Sequence, residues 1–272
     1  MLWVVVAKER RDKQLVQAEA MIDGLRGHGV KAEICLDDPP NDKDPFIARG
    51  QLWVVERIVP KALKTGQPFW IIDNGFYKYG RGGYYKITYK GLSPIVLKNP
   101  DTKRFPPEKV MHPWIQKRSE RGYVLIGVPG PKFGKCLGID VPTWIKTIYQ
   151  RVRANTNRRV IVREKWTQSP TLAEHLAGAH VLVTHSSNIA VDAIIQGVPA
   201  IVESTNPAAP VCAQSLDYIE RPLYPDRRSW WRSLMCQQFN DVEMSNGLAW
   251  HWMKKVQEQV DGEPLPSNWV GA

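Results

Sequence analysis

The chain has 272 residues, of which 43% are apolar and 24% charged, and its net charge is +10. This is the balance of a globular protein able to bury one large core or two smaller ones, and it excludes a low-complexity or disordered chain. No apolar run approaches the roughly 18–20 residues of a membrane span, and the four cysteines, at 35, 136, 212 and 236, form no metal-ligand spacing.

In chain order, residues 2–7 read as a buried strand. The apolar positions Leu15, Ala18, Met21, Ile22 and Leu25 have helical spacing that ends at Gly27-His28-Gly29. Lys31–Leu36 reads as a second strand, followed by a Pro- and Asp-rich loop at 37–45. Leu52–Val55 and Phe69–Ile72 are further apolar runs, with a helix expected over Arg57–Lys64 between them. This βαβ alternation predicts a parallel sheet with helices on its faces.

The alternation breaks at Asp73-Asn74-Gly75. Residues 74–100 contain no acid, and tyrosines and cations are interleaved there: Tyr77, Lys78, Tyr79, Arg81, Tyr84, Tyr85 and Lys86. Such a segment suits a surface that stacks on bases or sugars and touches phosphates. An ordinary exposed hairpin, with a strand over Tyr84–Tyr89, is the alternative. Residues 98–165 hold sixteen Lys or Arg against five Asp or Glu, whereas the rest of the chain is close to neutral. That asymmetry points to a polyanion such as DNA or RNA, or else to a solubility feature with a few phosphate ligands.

Proline-rich residues 99–120 read as a linker, after which the alternation restarts. Strands are expected at Tyr123–Ile126, Arg159–Val162, 180–183 and 199–202, and helices over Val141–Arg153, Thr171–Ala177 and 189–195. The chain therefore divides into three parts: a Rossmann-like domain over 1–115, a second over 116–235, and a terminal helix over 236–272. Ligands in such sheets bind at the carboxyl ends of the strands. There, Thr184–Asn188 is a polar turn before a helix, and free N–H groups with Ser186, Ser187 and Asn188 could hold a phosphate. Glu203 follows the next strand, where a carboxylate can take ribose or sugar hydroxyls. Gly130 and Lys132 in the glycine-rich turn, and Arg163 and Lys165 after a strand, are further phosphate ligands. Each residue also has a bland reading, as a helix cap or a solvated loop side chain.

The strand, Ser-rich turn, small-residue helix and Gly197-Val-Pro199 strand together resemble the donor half of GT-B glycosyltransferases, including capsule-polysaccharide transferases. Asp73-Asn-Gly-Phe, Tyr84-Tyr-Lys-Ile-Thr and the segment Gln238-Phe-Asn-Asp-Val-Glu through Trp250 are similar to phage-encoded glycosyltransferases of 5-hydroxymethylpyrimidine DNA. The resemblance implies an α/β, GT-B-like fold: two Rossmann-type domains facing a cleft, with the C-terminal helix returning to the first. It also implies sugar transfer from a nucleotide-sugar, UDP-glucose being the expected donor, onto duplex DNA.

Transfer needs a base for the acceptor hydroxyl. Asp73, at the end of an apolar strand, and His185, directly after another, are the two options, beside a turn-forming Asp and a structural His. Asp37-Asp38 does not resemble the Asp-x-Asp metal motif of the other main glycosyltransferase fold, so no metal or other cofactor is expected beyond the nucleotide-sugar co-substrate. No membrane contact is expected either. The start of the chain lacks a signal-peptide pattern, which places the protein in the cytoplasm, that of the host if phage-encoded. A saccharide-directed transferase or an epimerase is one rival reading, and a catalytically silent nucleic-acid-binding module is the other.

Overall fold

The computed structural model describes residues 1–50, 54–78, 82–100, 103–116, 122–131, 134 and 138–262, with the backbone alone at 10–13. The chain divides into two compact units, one of Met1–Thr102 with Ser233–Val270 and the other built on Lys103–Arg232.

The first unit holds β1 (Leu2–Val6), α1 (Arg11–Gly27), β2 (Ala32–Leu36), β3 (Phe46–Arg49), a π-helical turn (Val54–Ile58), α2 (Val59–Thr65), β4 (Phe69–Asn74) and β5 (Tyr85–Tyr89). Its strands lie in the order β10-β5-β4-β3-β1-β2, where β10 is Gln238–Phe239. β2, β1, β3 and β4 run parallel, whereas β5 is antiparallel to β4 and β10 antiparallel to β5. Successive side chains of a strand point to opposite faces, and the core follows that rule. Val4, Ile47, Trp70 and Ile72 join α1 and the terminal helix in one layer, while Val5, Phe46, Ala48 and Ile71 join α2 in the other. Each Val, Ile or Phe among them, fully buried, contributes about 1.5–3 kcal/mol.

Two expectations change here. Val54 and Val55 lie in the π-helical turn and not in a strand, while Leu52 and Trp53 fall outside the described residues. The third strand is instead Phe46–Arg49. Only four residues long and opening directly after Pro45, it is too short for its alternation to stand out from the preceding polar loop.

The second unit contains α3 (Pro107–Val110), β6 (Tyr123–Gly127), α4 (Val141–Asn155), β7 (Val160–Arg163), α5 (Leu172–Gly178), β8 (Ala179–Thr184), α6 (Ile189–Ile195) and β9 (Ala200–Val202). Its four-stranded sheet has the order β7-β6-β8-β9 and is parallel throughout. Val124, Ile126, Val181 and Val183 pack against Ile148 and Val152 of α4. Asp140 caps α4 by accepting from the Thr143 N–H at 3.1 Å, and Thr171 and Glu174 form a reciprocal capping box on α5.

The chain then passes through α7 (Arg228–Met235) into β10, α8 (Asp241–Ser245) and α9 (Leu248–Asp261), which complete the first unit. The Gln-Phe-Asn-x-x-Glu pattern has a local physical meaning. The Gln238 side chain accepts from the Phe76 and Tyr77 N–H groups, at 2.8 and 3.2 Å, and donates to the Tyr77 carbonyl at 3.1 Å. Asn240 and Glu243 form the capping box of α8.

Candidate functional site

Both sheets carry polar groups at the carboxyl ends of their parallel strands. In the first unit, Asp73 is the fifth residue of β4, and its carboxyl is partly exposed. One oxygen accepts from the Asn74 N–H at 2.8 Å, and the other lies 3.9 Å from Lys86 Nζ. Gly50, just after β3, explains why the carboxyl stays uncovered. A Cβ at Gly50 would sit 3.3 Å from the Asp73 Cβ and 3.1 Å from an Ile71 methyl. Arg49 donates to the Gln17 side chain at 2.8 Å and stacks over the Tyr85 ring at 4.7 Å.

The Tyr/Lys segment divides. Lys86, opposite Asp73 on β5, is only 5% exposed; it donates to the Leu92 carbonyl at 3.0 Å and faces the Phe76 ring at 5.1 Å. Burial pulls its pKa down, partly opposed by the Asp73 charge. Tyr85 is buried as well. Neither can lie on a DNA-facing surface, because β5 is covered by β4 and β10 on its two edges and by the core. Lys78 is exposed, Tyr77 and Tyr84 are half-buried, and Tyr79 and Arg81 lie outside the described residues.

In the second unit the centre is the turn between β8 and α6. Ser186 is 5% exposed, and its hydroxyl has no hydrogen-bond partner. The Nδ1 of the neighbouring His185 is likewise buried without one. Burial lowers the His185 pKa, while Glu203 acts in the opposite direction; the net effect favours a neutral ring. The Trp144 ring stands edge-on to it at 6.4 Å. Ser187 Oγ accepts weakly from the Ile189 N–H at 3.5 Å, and Asn188 occupies the N-cap position of α6 without a side-chain cap bond.

The turn is held from behind by Asn206. Its amide donates to the His185 carbonyl at 3.1 Å and the Ser187 carbonyl at 3.3 Å, and its oxygen accepts from the Ala208 N–H at 2.9 Å. The Glu203 N–H donates to the same His185 carbonyl at 3.3 Å, and the Glu203 side chain is exposed beside it. The Thr184 hydroxyl ties β8 to the Gly127 carbonyl at 2.6 Å. Gly127 is required by close packing, since a Cβ there would approach an Ile189 methyl to 2.8 Å. The Arg227 guanidinium donates to the Ile194 carbonyl at the far end of α6.

Other expected phosphate ligands separate. Arg163 is 8% exposed and committed to its own loop, donating to the Thr167 carbonyl at 2.8 Å and the Pro170 carbonyl at 3.0 Å, with His175 Nδ1 at 3.2 Å. It is a structural arginine. Lys165 is exposed, its stem lies beside Gly130, and its ammonium faces the Trp166 ring at 5.1 Å. Lys132 lies outside the described residues. Among the described residues no group of His, Cys, Asp and Glu could hold a metal ion, and no helix is long and apolar enough to cross a membrane.

Two contributors, Asn206 and Trp144, are invisible in the sequence pattern, and so is the perturbed acid Asp192. Asn206 stands in a Ser-Thr-Asn-Pro run that reads only as a turn. Trp144 looks like a surface residue of α4. Asp192 sits in α6 among Val191, Ala193 and Ile194, all fully buried. Burial pushes its carboxyl from 3.8 up to about 7, and no side-chain partner offsets that.

No family model and no curated protein matches this chain in sequence. Solved structures do match it in fold. Over 90% of this chain and 97% of its own, KpsC, beta Kdo 2,4 transferase, of Thermosulfurimonas dismutans superposes with a TM-score of 0.53 at 11% identity. A second structure, KpsC, beta Kdo 2,7 transferase, of the same organism covers 95% of this chain and 99% of its own, with a TM-score of 0.50 at 9% identity. The fold is that of these GT-B glycosyltransferases.

Proposed function

We propose that the protein is a glycosyltransferase that takes its sugar from a nucleotide-sugar bound at the β8–α6 turn. The observation that carries this reading is the pair of buried, unpartnered polar atoms, His185 Nδ1 and Ser186 Oγ. Each costs about 1–3 kcal/mol while unsatisfied; a ligand able to hydrogen-bond with both would recover that cost. A nucleoside diphosphate supplies such acceptors, and the turn adds the Ser187 hydroxyl and the Lys165 ammonium at the same end of the sheet.

In the reaction, Asp73 takes the proton of the acceptor hydroxyl as its oxygen attacks the anomeric carbon. The bond from that carbon to the diphosphate breaks, and negative charge collects on the leaving phosphate. Ser186, Ser187 and Lys165 stabilise that charge by hydrogen bonding and electrostatics, the contribution a metal makes elsewhere. The neutral His185 offers a hydrogen bond to the sugar or phosphate, and Glu203 holds sugar or ribose hydroxyls. The acceptor in this reading is a 5-hydroxymethylpyrimidine of duplex DNA, supported by the basic segment 98–165 and by Lys78 with the accessible parts of Tyr77 and Tyr84. A saccharide acceptor is the second reading, supported by the two structural neighbours, which are named as Kdo transferases.

Nucleoside mass spectrometry tests both. DNA containing 5-hydroxymethyluracil or 5-hydroxymethylcytosine is incubated with the protein and a panel of nucleotide-sugars. A hexose-sized mass gain on one base establishes donor and acceptor together. No gain, with clear nucleotide binding in a thermal-shift assay, favours a saccharide acceptor. No gain and no nucleotide binding refutes the transferase reading.

A further inference from the structure

Arg49 closes β3 at the carboxyl edge of the first sheet, one strand spacing, about 5 Å, from β4, which carries Asp73. Its register partner on β4 is Ile72, the residue before Asp73. Strand alternation sends Arg49 to the α1 face with Ile47 and Asp73 to the α2 face with Ile71, so a ligand lying across the strand ends meets both. Three elements hold the guanidinium. Its Nη1 donates to the Gln17 side chain of α1 at 2.8 Å, Gln17 donates in turn to the Tyr85 hydroxyl of β5 at 3.3 Å, and the guanidinium lies 4.7 Å from the Tyr85 ring centroid. Gln17 and Tyr85 are buried, whereas Arg49 is partly exposed. These partners are all neutral, and among the described residues no carboxylate pairs with Arg49. By contrast, Arg57, Arg158 and Arg228 are paired with Asp38, Glu220 and Asp226, and Arg163 and Arg227 are committed to backbone carbonyls. Gln17 takes Nη1, which leaves the Nε–Nη2 edge, the fork that meets a phosphate with two parallel hydrogen bonds. No N–H of Arg49 is both buried and without a partner, so that edge is open to solvent.

We infer that Arg49 grips a backbone phosphate of the acceptor strand, beside the nucleotide whose hydroxymethyl group meets Asp73. The inference rests on the DNA acceptor proposed above and adds the residue that sets its register. A guanidinium already fixed by stacking and one hydrogen bond loses little freedom when an anion arrives, and with no carboxylate beside it the charge is available to that anion. The C5 substituent of a pyrimidine nucleotide and its flanking phosphates lie on the order of 5–10 Å apart, one to two strand spacings, so groups on neighbouring strand ends reach both. Phosphate contacts of this kind fix position on the strand and carry no base information. Arg49 therefore decides which nucleotide presents its hydroxyl, and the base is chosen elsewhere.

The test is fluorescence anisotropy of the full chain with a labelled duplex carrying one 5-hydroxymethyluracil or 5-hydroxymethylcytosine, at salt concentrations from about 50 to 200 mM. Arg49→Gln, a change at a partly exposed position, should lower affinity about fivefold to tenfold near 0.1 M salt and reduce the salt slope by about one. Arg49→Lys keeps the charge and loses the fork, so it should keep the slope and bind more weakly. Neutral methylphosphonates in place of the phosphates flanking the modified base should weaken binding by the parent more than binding by Arg49→Gln. If the parent binds DNA and Arg49→Gln equals it in affinity and slope, or if the methylphosphonates weaken both proteins equally, the role of Arg49 is overturned while the DNA acceptor stands. If the parent binds no DNA, the DNA acceptor is refuted and the phosphate contact with it. Arg49-dependent binding of a carboxylated polysaccharide in place of DNA has the same consequence. None of these readouts depends on glycosyl transfer.

Discussion

Replacing Asp192 by Asn should stabilise the second unit at pH 8 and do little at pH 4. In the folded chain the Asp192 carboxyl is pushed from 3.8 to about 7 by burial, so between these values the native state holds a proton that the unfolded chain has released. Stability therefore falls as pH rises through that window, and the loss is complete above pH 7. At about 1.4 kcal/mol per pH unit the accumulated penalty is about 4 kcal/mol. Asn has the shape of the protonated acid and never ionises, so the variant escapes the penalty. Denaturant unfolding of parent and variant at pH 4, 6 and 8, read from the transition of the second unit, gives the difference directly. The expected stability gain is near zero at pH 4, intermediate at pH 6 and about 4 kcal/mol at pH 8. The His185 contribution is shared by both proteins and drops out of the comparison. A gain independent of pH, or none at pH 8, would show that Asp192 ionises freely and that the burial argument is wrong.

The other expectations concern the two sheet edges. Asn206→Ala removes one of the two donors at each of the His185 and Ser187 carbonyls, which keep the Glu203 and Ala190 N–H groups, and should cost about 0.5–1.5 kcal/mol in denaturant unfolding, with weaker nucleotide binding by calorimetry. Gly127→Ala forces a methyl against Ile189 and should cost about 1–3 kcal/mol; crystallography of the variant should show α6 displaced. Asp73→Asn should abolish transfer while leaving nucleotide affinity unchanged, as measured by single-turnover assay and calorimetry. Normal turnover would remove Asp73 from the role of base. Ser186→Ala deletes an unpartnered buried hydroxyl, so the ligand-free protein should unfold no more easily, yet nucleotide affinity should fall. An unchanged affinity would detach Ser186 from the donor.

The second unit was legible in the sequence because its signals are local. Val181–Val183 is apolar on both faces, as a central parallel strand must be, and Gly197 with Pro199 marks the stop between α6 and β9. The strand and helix positions there come out within a residue or two of those expected. The first unit was harder because its decisive contacts are remote. Lys86 and Tyr85 read as solvent-facing while only their neighbours in sequence are considered. The partner that closes β5 is Gln238–Phe239, some 150 residues later, and no local pattern announces it. The same holds for Gln238, which clamps the backbone at Phe76 and Tyr77 from across the chain.

Chemical type misleads in a related way. Arg163 stands where a phosphate ligand belongs, at the end of a parallel strand, but the loop to Pro170 leaves the Thr167 and Pro170 carbonyls facing inward, and the guanidinium satisfies them. A cation at a strand end is free for a ligand only if the following loop satisfies its own carbonyls. At the β8–α6 turn the loop does so, through Asn206, and that is why His185 Nδ1 and Ser186 Oγ are left over. Among the described residues, His185 Nδ1 and Ser186 Oγ stand in a turn whose His185 and Ser187 carbonyls are already satisfied, and that distinguishes this turn from the loop at Arg163.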